Sequence, residues 1–143
     1  MMMFVNIAFS LLEVNSRGIF HRDLKPENML LYNRDTIEYI TLTDFGASKY
    51  SLSTEKNLTD VGYLSGTLVY SSPERILGKN LMEKEDVWAI GVTIYLLSSF
   101  ALPFDAENRD KLAIIKMIAD PDITHPKIEN RSKELNDLID ALL

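Results

Sequence analysis

Residues 83–100, EKEDVWAIGVTIYLLSSF, restrict the fold more than any other stretch of the chain. After Asp86 the run is apolar nearly all round, the mark of a helix buried on every side rather than lying on a surface. A chain with such a helix must close its other elements around it. No apolar run is long enough to cross a bilayer. The opening stretch MMMFVNIAFSLLEVNSRG supplies a second helix, with Phe4, Ile7, Ala8, Leu11 and Leu12 at helical spacing. It lacks the basic start of a leader, and Asn6, Ser10 and Glu13 interrupt its apolar run, so it reads as an amphipathic core helix. Arg17-Gly18 gives that helix a basic last turn and a glycine stop.

Between these helices lies GIFHRDLKPEN, a loop with Pro26 and no clear period. MLLY and IEYITLT follow, separated by NRDT, and read as a short β-hairpin. From Ser48 to Leu64 the chain is polar and aperiodic, as expected of a surface loop. Pro73 suits the first turn of a helix over SPERILGK. AENRDKLAIIKMIAD is an amphipathic helix that stops at Pro121, and Ser132 caps a last helix over SKELNDLIDALL. No repeat and no linker divides the chain. The expectation is a mainly α domain with one small hairpin.

With 143 residues, 46% of them hydrophobic, the chain can bury a core as one domain. A net charge of −6 argues against binding a nucleic-acid backbone, which needs a basic stripe. It is compatible with basic peptide partners. The absence of cysteine excludes a disulfide framework and suits an intracellular, cytoplasmic protein. Two histidines, His21 and His125, make no persuasive zinc site. No membrane partner is expected, and the oligomeric state is open.

Taken singly, Asp23 and Lys25 are an ordinary surface ion pair, and DFG at 44–46 an ordinary turn. Taken in order they carry more. HRDLKPEN (21–28), DFG (44–46), GTLVYSSPE (66–74) and DVWAIG (86–91) resemble the second half of a protein kinase domain, of the serine/threonine branch. The resemblance covers essentially all of residues 1–143, from the helix before the catalytic loop onward. It implies a kinase-like C-terminal lobe that uses ATP and Mg²⁺ and acts on serine or threonine in protein substrates.

By that resemblance Asp23 accepts or orients the acceptor's hydroxyl proton, and Lys25 steadies the transferring phosphoryl group. Asn28 and Asp44 are the oxygen ligands for Mg²⁺, Asp44 being returned to the loop by the hairpin. Leu30 lies under the adenine, although a hairpin core leucine is the plainer reading. Thr67 packs beside the Asp23–Lys25 pair. His21 and Phe45 match members of a hydrophobic spine, and Trp88 is core. Asp86 matches a buried carboxylate that accepts backbone N–H groups of the catalytic loop.

Arg22 corresponds to an arginine that holds a phosphorylated activation-loop residue. The position that usually receives the phosphate is Tyr63 here, with Thr59 and Ser65 as alternatives. LPFDAEN makes the calmodulin-dependent and calcium-dependent kinases the nearest resemblance, although no calcium-binding loop is present. Phe100 stands where glycine is usual and Ser72 where alanine is commoner.

No G-x-G-x-x-G and no strand lysine precede His21, so the resemblance implies a lobe whose N-terminal partner lobe is absent. The resemblance also implies that the family's last helices are missing after Leu143, which would leave Glu74 without its buried arginine partner, and Leu135, Leu138, Ile139 and Leu142 as uncovered apolar surface. Two functions follow. One is the catalytic lobe of a serine/threonine kinase, with little or no activity by itself. The other is a non-catalytic lobe that binds proteins.

Overall fold

The computed structural model describes residues 2–32, 39–50, 68–79, 82–106 and 110–143. Helix α1 (Met2–Ser16) leads into the short strand β1 (Ile19–Phe20). A 3₁₀ turn at Pro26–Asn28 precedes β2 (Met29–Tyr32) and β3 (Tyr39–Leu42). A second 3₁₀ turn (Phe45–Ala47) and β4 (Lys49–Tyr50) follow. The remainder is helical: a 3₁₀ turn at Leu68–Tyr70, then α2 (Pro73–Ile76), α3 (Met82–Ser99), α4 (Lys111–Ala119) and α5 (Lys133–Leu142). The fold is mainly α, as expected. No helix among the described residues is long and apolar enough to cross a membrane.

Helix α3 is the axis. Trp88, Ala89, Val92, Ile94 and Tyr95 are all buried, on faces that point in different directions. Leu11 of α1, Leu42 of β3, Phe104, and Ile114 and Ile118 of α4 pack with Trp88, Ala89 and Val92 in one core. Ile94 and Tyr95 form a second core with Ile128 and with Ile139 of α5. Burying each of these side chains contributes about 1.5–3 kcal/mol, which explains why the helix is enclosed. The Thr93 hydroxyl is made tolerable there by donating to the Ala89 carbonyl at 2.8 Å.

The antiparallel pair β2–β3 is the expected hairpin, with Met29 opposite Leu42 and Leu31 opposite Ile40. Ile40 and Leu42 face inward and Thr41 outward, the period-2 alternation of a one-sided strand. A second pair was not foreseen: Lys49–Tyr50, read from sequence as loop, pairs with Ile19–Phe20. Two residues carry no period for a reader to detect.

Three other expectations are corrected. On α1, Ile7 and Leu11 are buried, but Ala8 is exposed and Leu12 is 64% exposed, because the strands cover only one narrow stripe. Helix α4 begins at Lys111, not Ala106, since Asp110 caps it by accepting the Leu112 N–H at 3.0 Å. On α5, Ile139 is fully buried against α3 and Leu135 and Leu142 are half-covered, leaving Leu138 as the exposed member of that set. Ser132 caps α5 as expected, accepting the Leu135 N–H at 3.3 Å.

Candidate active site

The site is assembled on residues 21–28, between β1 and β2. Pro26, with its fixed φ, opens the 3₁₀ turn, and the Asn28 N–H closes it on the Lys25 carbonyl at 3.0 Å. That turn brings two side chains to one carboxylate. Lys25 Nζ donates to Asp23 Oδ2 at 2.8 Å, and Asn28 Nδ2 donates to the same oxygen at 3.1 Å. Asn28 Nδ2 also donates to the Asp23 carbonyl at 2.8 Å, so the buried amide spans the loop. Asp23 is thus held in one rotamer by a cation and an amide, within a shell that is only partly open to water.

His21 sits behind this carboxylate, fully buried. Its Nδ1 accepts the Asp23 N–H at 3.3 Å and its Nε2 lies 2.9 Å from the Thr43 carbonyl. An acceptor at Nδ1 and a carbonyl at Nε2 fit the neutral ring with its proton on Nε2. His21 is therefore a strut between the loop and the hairpin, packed on Phe45 with ring centroids 4.6 Å apart.

The hairpin returns the chain to the loop through Thr43. Its N–H and Oγ1 both donate to the Asn28 carbonyl, at 2.9 and 3.3 Å. Asp44 follows directly, exposed and left-handed at φ 60°, with Oδ1 accepting the Gly46 N–H at 3.3 Å. A Cβ at Gly46 would stand 3.0 Å from that oxygen, so a larger residue there would push the exposed Asp44 side chain aside. Leu30 lies on β2, 57% exposed, rather than in the hairpin core.

Asp86, at the start of α3, accepts the N–H groups of His21 and Arg22 at 2.9 and 2.8 Å. Burial pushes its carboxyl above the usual carboxylate range, and those two N–H bonds pull in the opposite direction. Arg22 is left-handed at φ 65°, and its Nε donates to Glu85 Oε2 at 3.3 Å. Ser72, in place of alanine, caps α2 by accepting the Arg75 N–H at 3.2 Å. Glu74 pairs with the exposed Lys84 at 3.9 Å.

Asp23, Lys25 and Asn28 are therefore brought together, Asp44 is tied to Asn28 through its neighbour, and Leu30 flanks them on the adjoining strand. Thr59, Tyr63, Ser65 and Thr67 lie outside the described residues. Sequence reading missed Glu85 and Arg75. The available signal was an acid immediately before Asp86 on a helix that buries nearly everything.

For a divalent cation the chemistry fits. Asn28 spends its amide nitrogen on Asp23, which turns Oδ1 the other way, and Asp44 offers a carboxylate. Among the described residues no group of three or more His, Cys, Asp or Glu could hold a metal by itself. Two hard oxygens suit Mg²⁺, which retains waters and shares phosphate oxygens.

Comparison with known proteins identifies the family. The protein kinase domain family matches residues 2–143. Serine/threonine-protein kinase H1 homolog of Pinctada fucata is 38% identical over 126 residues, covering 88% of the chain and 30% of that protein. Serine/threonine-protein kinase Nek8 of Danio rerio is 39% identical over 137 residues, covering 95% of the chain and 18% of that protein. Calcium-dependent protein kinase 25 of Arabidopsis thaliana is 36% identical over 129 residues, covering 90% and 24%. The chain thus spans less than a third of each of these relatives. Their names come from several kinase groups, so the resemblance to calcium-dependent kinases is one among many.

Proposed function

We propose, from the premise that this chain belongs to the protein kinase domain family, that it supplies the catalytic lobe of a serine/threonine protein kinase. The observation that carries this reading is the Asp23 carboxylate, gripped by Lys25 at 2.8 Å and Asn28 at 3.1 Å on one rigid turn. In phosphoryl transfer the acceptor oxygen bonds to the γ-phosphorus as the bridging P–O bond to ADP breaks. Asp23 orients the serine or threonine hydroxyl and receives its proton. Lys25 balances charge on the moving phosphoryl group, a task for which it already lies at hand. Asn28 and Asp44 would hold Mg²⁺, whose part is to neutralise charge on the phosphates. Leu30 offers its exposed face to the adenine, and Thr67 positions the substrate.

Catalysis of this kind is positioning plus electrostatics, and it needs the nucleotide held from two sides. Residues 1–143 contain no glycine-rich loop, and Leu30 is a bed for the adenine without a cover. These residues by themselves therefore bind ATP weakly and transfer little or no phosphate. Arg22 receives a phosphate placed on Thr59, Tyr63 or Ser65 in this reading, and LPFDAEN is the feature that favours a calcium-dependent type of kinase.

The test is a radiolabelled ATP assay on a generic serine/threonine substrate. It compares residues 1–143, the same chain joined to a glycine-rich first lobe, and Asp23→Asn in both. Transfer only by the two-lobed form, abolished by Asp23→Asn, supports the proposal. Transfer indifferent to Asp23→Asn overturns the role given to Asp23, and none in any form favours the protein-binding reading.

A further inference from the structure

Two acids stand side by side at the start of α3, and the roles above use only one of them. Asp86 holds the backbone of the loop. Glu85 is 6% exposed. Its Oε2 lies 3.3 Å from Arg22 Nε and 3.5 Å from Arg75 Nη1. The same Arg75 Nη1 donates to the Arg22 carbonyl at 2.8 Å. The space among these groups, about 10 Å³, holds one water at most, so this is no ligand pocket.

Arg22 is consequently held at three points. Its N–H is taken by Asp86, its carbonyl by Arg75, and its guanidinium by Glu85. A non-glycine residue stays left-handed only where its surroundings over-determine it, and these three contacts do so. Two of the three depend on Glu85, directly or through Arg75. Asp23 is the next residue along the chain.

We infer that Glu85 is a positioning residue for phosphoryl transfer: by pairing with Arg22 and Arg75 it locks the left-handed turn at Arg22 and so sets where Asp23 points. Its charge is what matters. Without it, no other acid among the described residues bridges the two guanidiniums, and the pair separates. Arg75 then releases the Arg22 carbonyl, the turn relaxes, and the Asp23 carboxylate shifts against Lys25 and Asn28. A displacement of that kind lowers turnover without touching the nucleotide. The inference rests on the kinase reading for the role of Asp23, whereas the brace itself rests on the contacts alone.

The first measurement is amide hydrogen exchange by NMR on residues 1–143, comparing the parent chain with E85Q and E85D. E85Q is expected to speed exchange at residues 22–24 by about tenfold or more, with α4 and α5 unaffected. E85D keeps the charge and is expected to retain protection. Parent-like exchange at 22–24 in E85Q overturns the inference, and so does an equal loss of protection everywhere, which would make Glu85 a residue of general stability. Should E85Q fail to fold, R75Q tests the same brace from its other side, with the same two outcomes. The second measurement uses the two-lobed form. There E85Q is expected to lower kcat by about tenfold or more with KM for ATP within about twofold. A kcat within twofold of the parent overturns the inference. Absence of transfer in every form would defeat the kinase reading, and the exchange measurement would still decide whether Glu85 braces Arg22.

Discussion

Asp86 Oδ1 accepts the backbone N–H of Arg22 at 2.8 Å, although 64 residues separate the two in sequence. This bond joins the central helix to the loop of residues 21–28, and it makes α3 the reference against which Asp23 is placed. Because the carboxylate also takes the His21 N–H, replacing one oxygen by an amide NH₂ would set a donor against a donor.

Asp86→Asn is therefore expected to destabilise the protein by about 1–3 kcal/mol, read from the urea midpoint at pH 7. The difference from the parent should depend on pH. The folded carboxyl lies above its ordinary 3.8, with burial as the first cause. Between 3.8 and the raised folded value, the native state binds more protons than the unfolded state. The parent's contribution from Asp86 is thus fully present below 3.8 and is lost as pH rises through the folded value. The penalty for Asp86→Asn should shrink across that window. A pH-independent penalty would contradict the assignment.

Asp140 behaves in the opposite sense. Its hydrogen bond from Lys127 draws the carboxyl below its usual range, desolvation opposes this, and the Lys127 charge and His125, 3.0 Å away, add to the lowering. A depressed acid contributes stability above the unfolded value of 3.8 that is lost as pH falls through the folded one. Asp140→Asn should flatten the acid limb of stability below 3.8 and leave the limb above neutrality alone. An unchanged acid limb in a pH series of thermal midpoints would count against the pairing.

Gly91 allows the close approach of α5 to α3. A Cβ there would stand 2.8 Å from Leu143 Cδ2 and 2.9 Å from Leu142 Cβ. The leucine tip can turn aside, but the Leu142 Cβ is fixed to the helix. Gly91→Ala should cost about 1–3 kcal/mol through overpacking, despite the better helix propensity of alanine. A thermal midpoint at or above the parent's would show that α5 yields freely.

Phe100 explains a departure noticed in the sequence. It ends α3 in the left-handed conformation, φ 59°, with its N–H donating to the Leu96 carbonyl at 2.8 Å. That is a cap in which glycine is favoured, and the ring gains nothing by way of compensation, being 87% exposed. The strain of about 1–2 kcal/mol exceeds the chain entropy that glycine costs. Phe100→Gly should therefore stabilise by about 0.5–1 kcal/mol in urea denaturation, and a loss of stability would refute the assignment.

Much of this protein is written locally. The run after Asp86 reads as a largely buried helix because its apolar residues recur on nearly every face, and in the fold only Val87 and Leu97 of the large apolar residues in 87–99 stay exposed. Gly18, Ser132 and Pro121 punctuate helices through their own backbone or side-chain chemistry, and HRDLKPEN gathers Asp23, Lys25 and Asn28 within one turn. Properties that depend on a few adjacent residues could be read from the chain alone.

The tertiary structure decided what depends on partners distant in sequence. Leu12 has the spacing of a core residue, but the hairpin covers only the stripe marked by Ile7 and Leu11. Lys49–Tyr50 became a strand because Ile19–Phe20 lay open beside it. Glu85 looked like one more helix acid, and only folding placed it between Arg22 and Arg75. A spacing states which face a residue occupies, whereas a buried charge is tolerated only by the neighbours it meets, and those arrive with the fold.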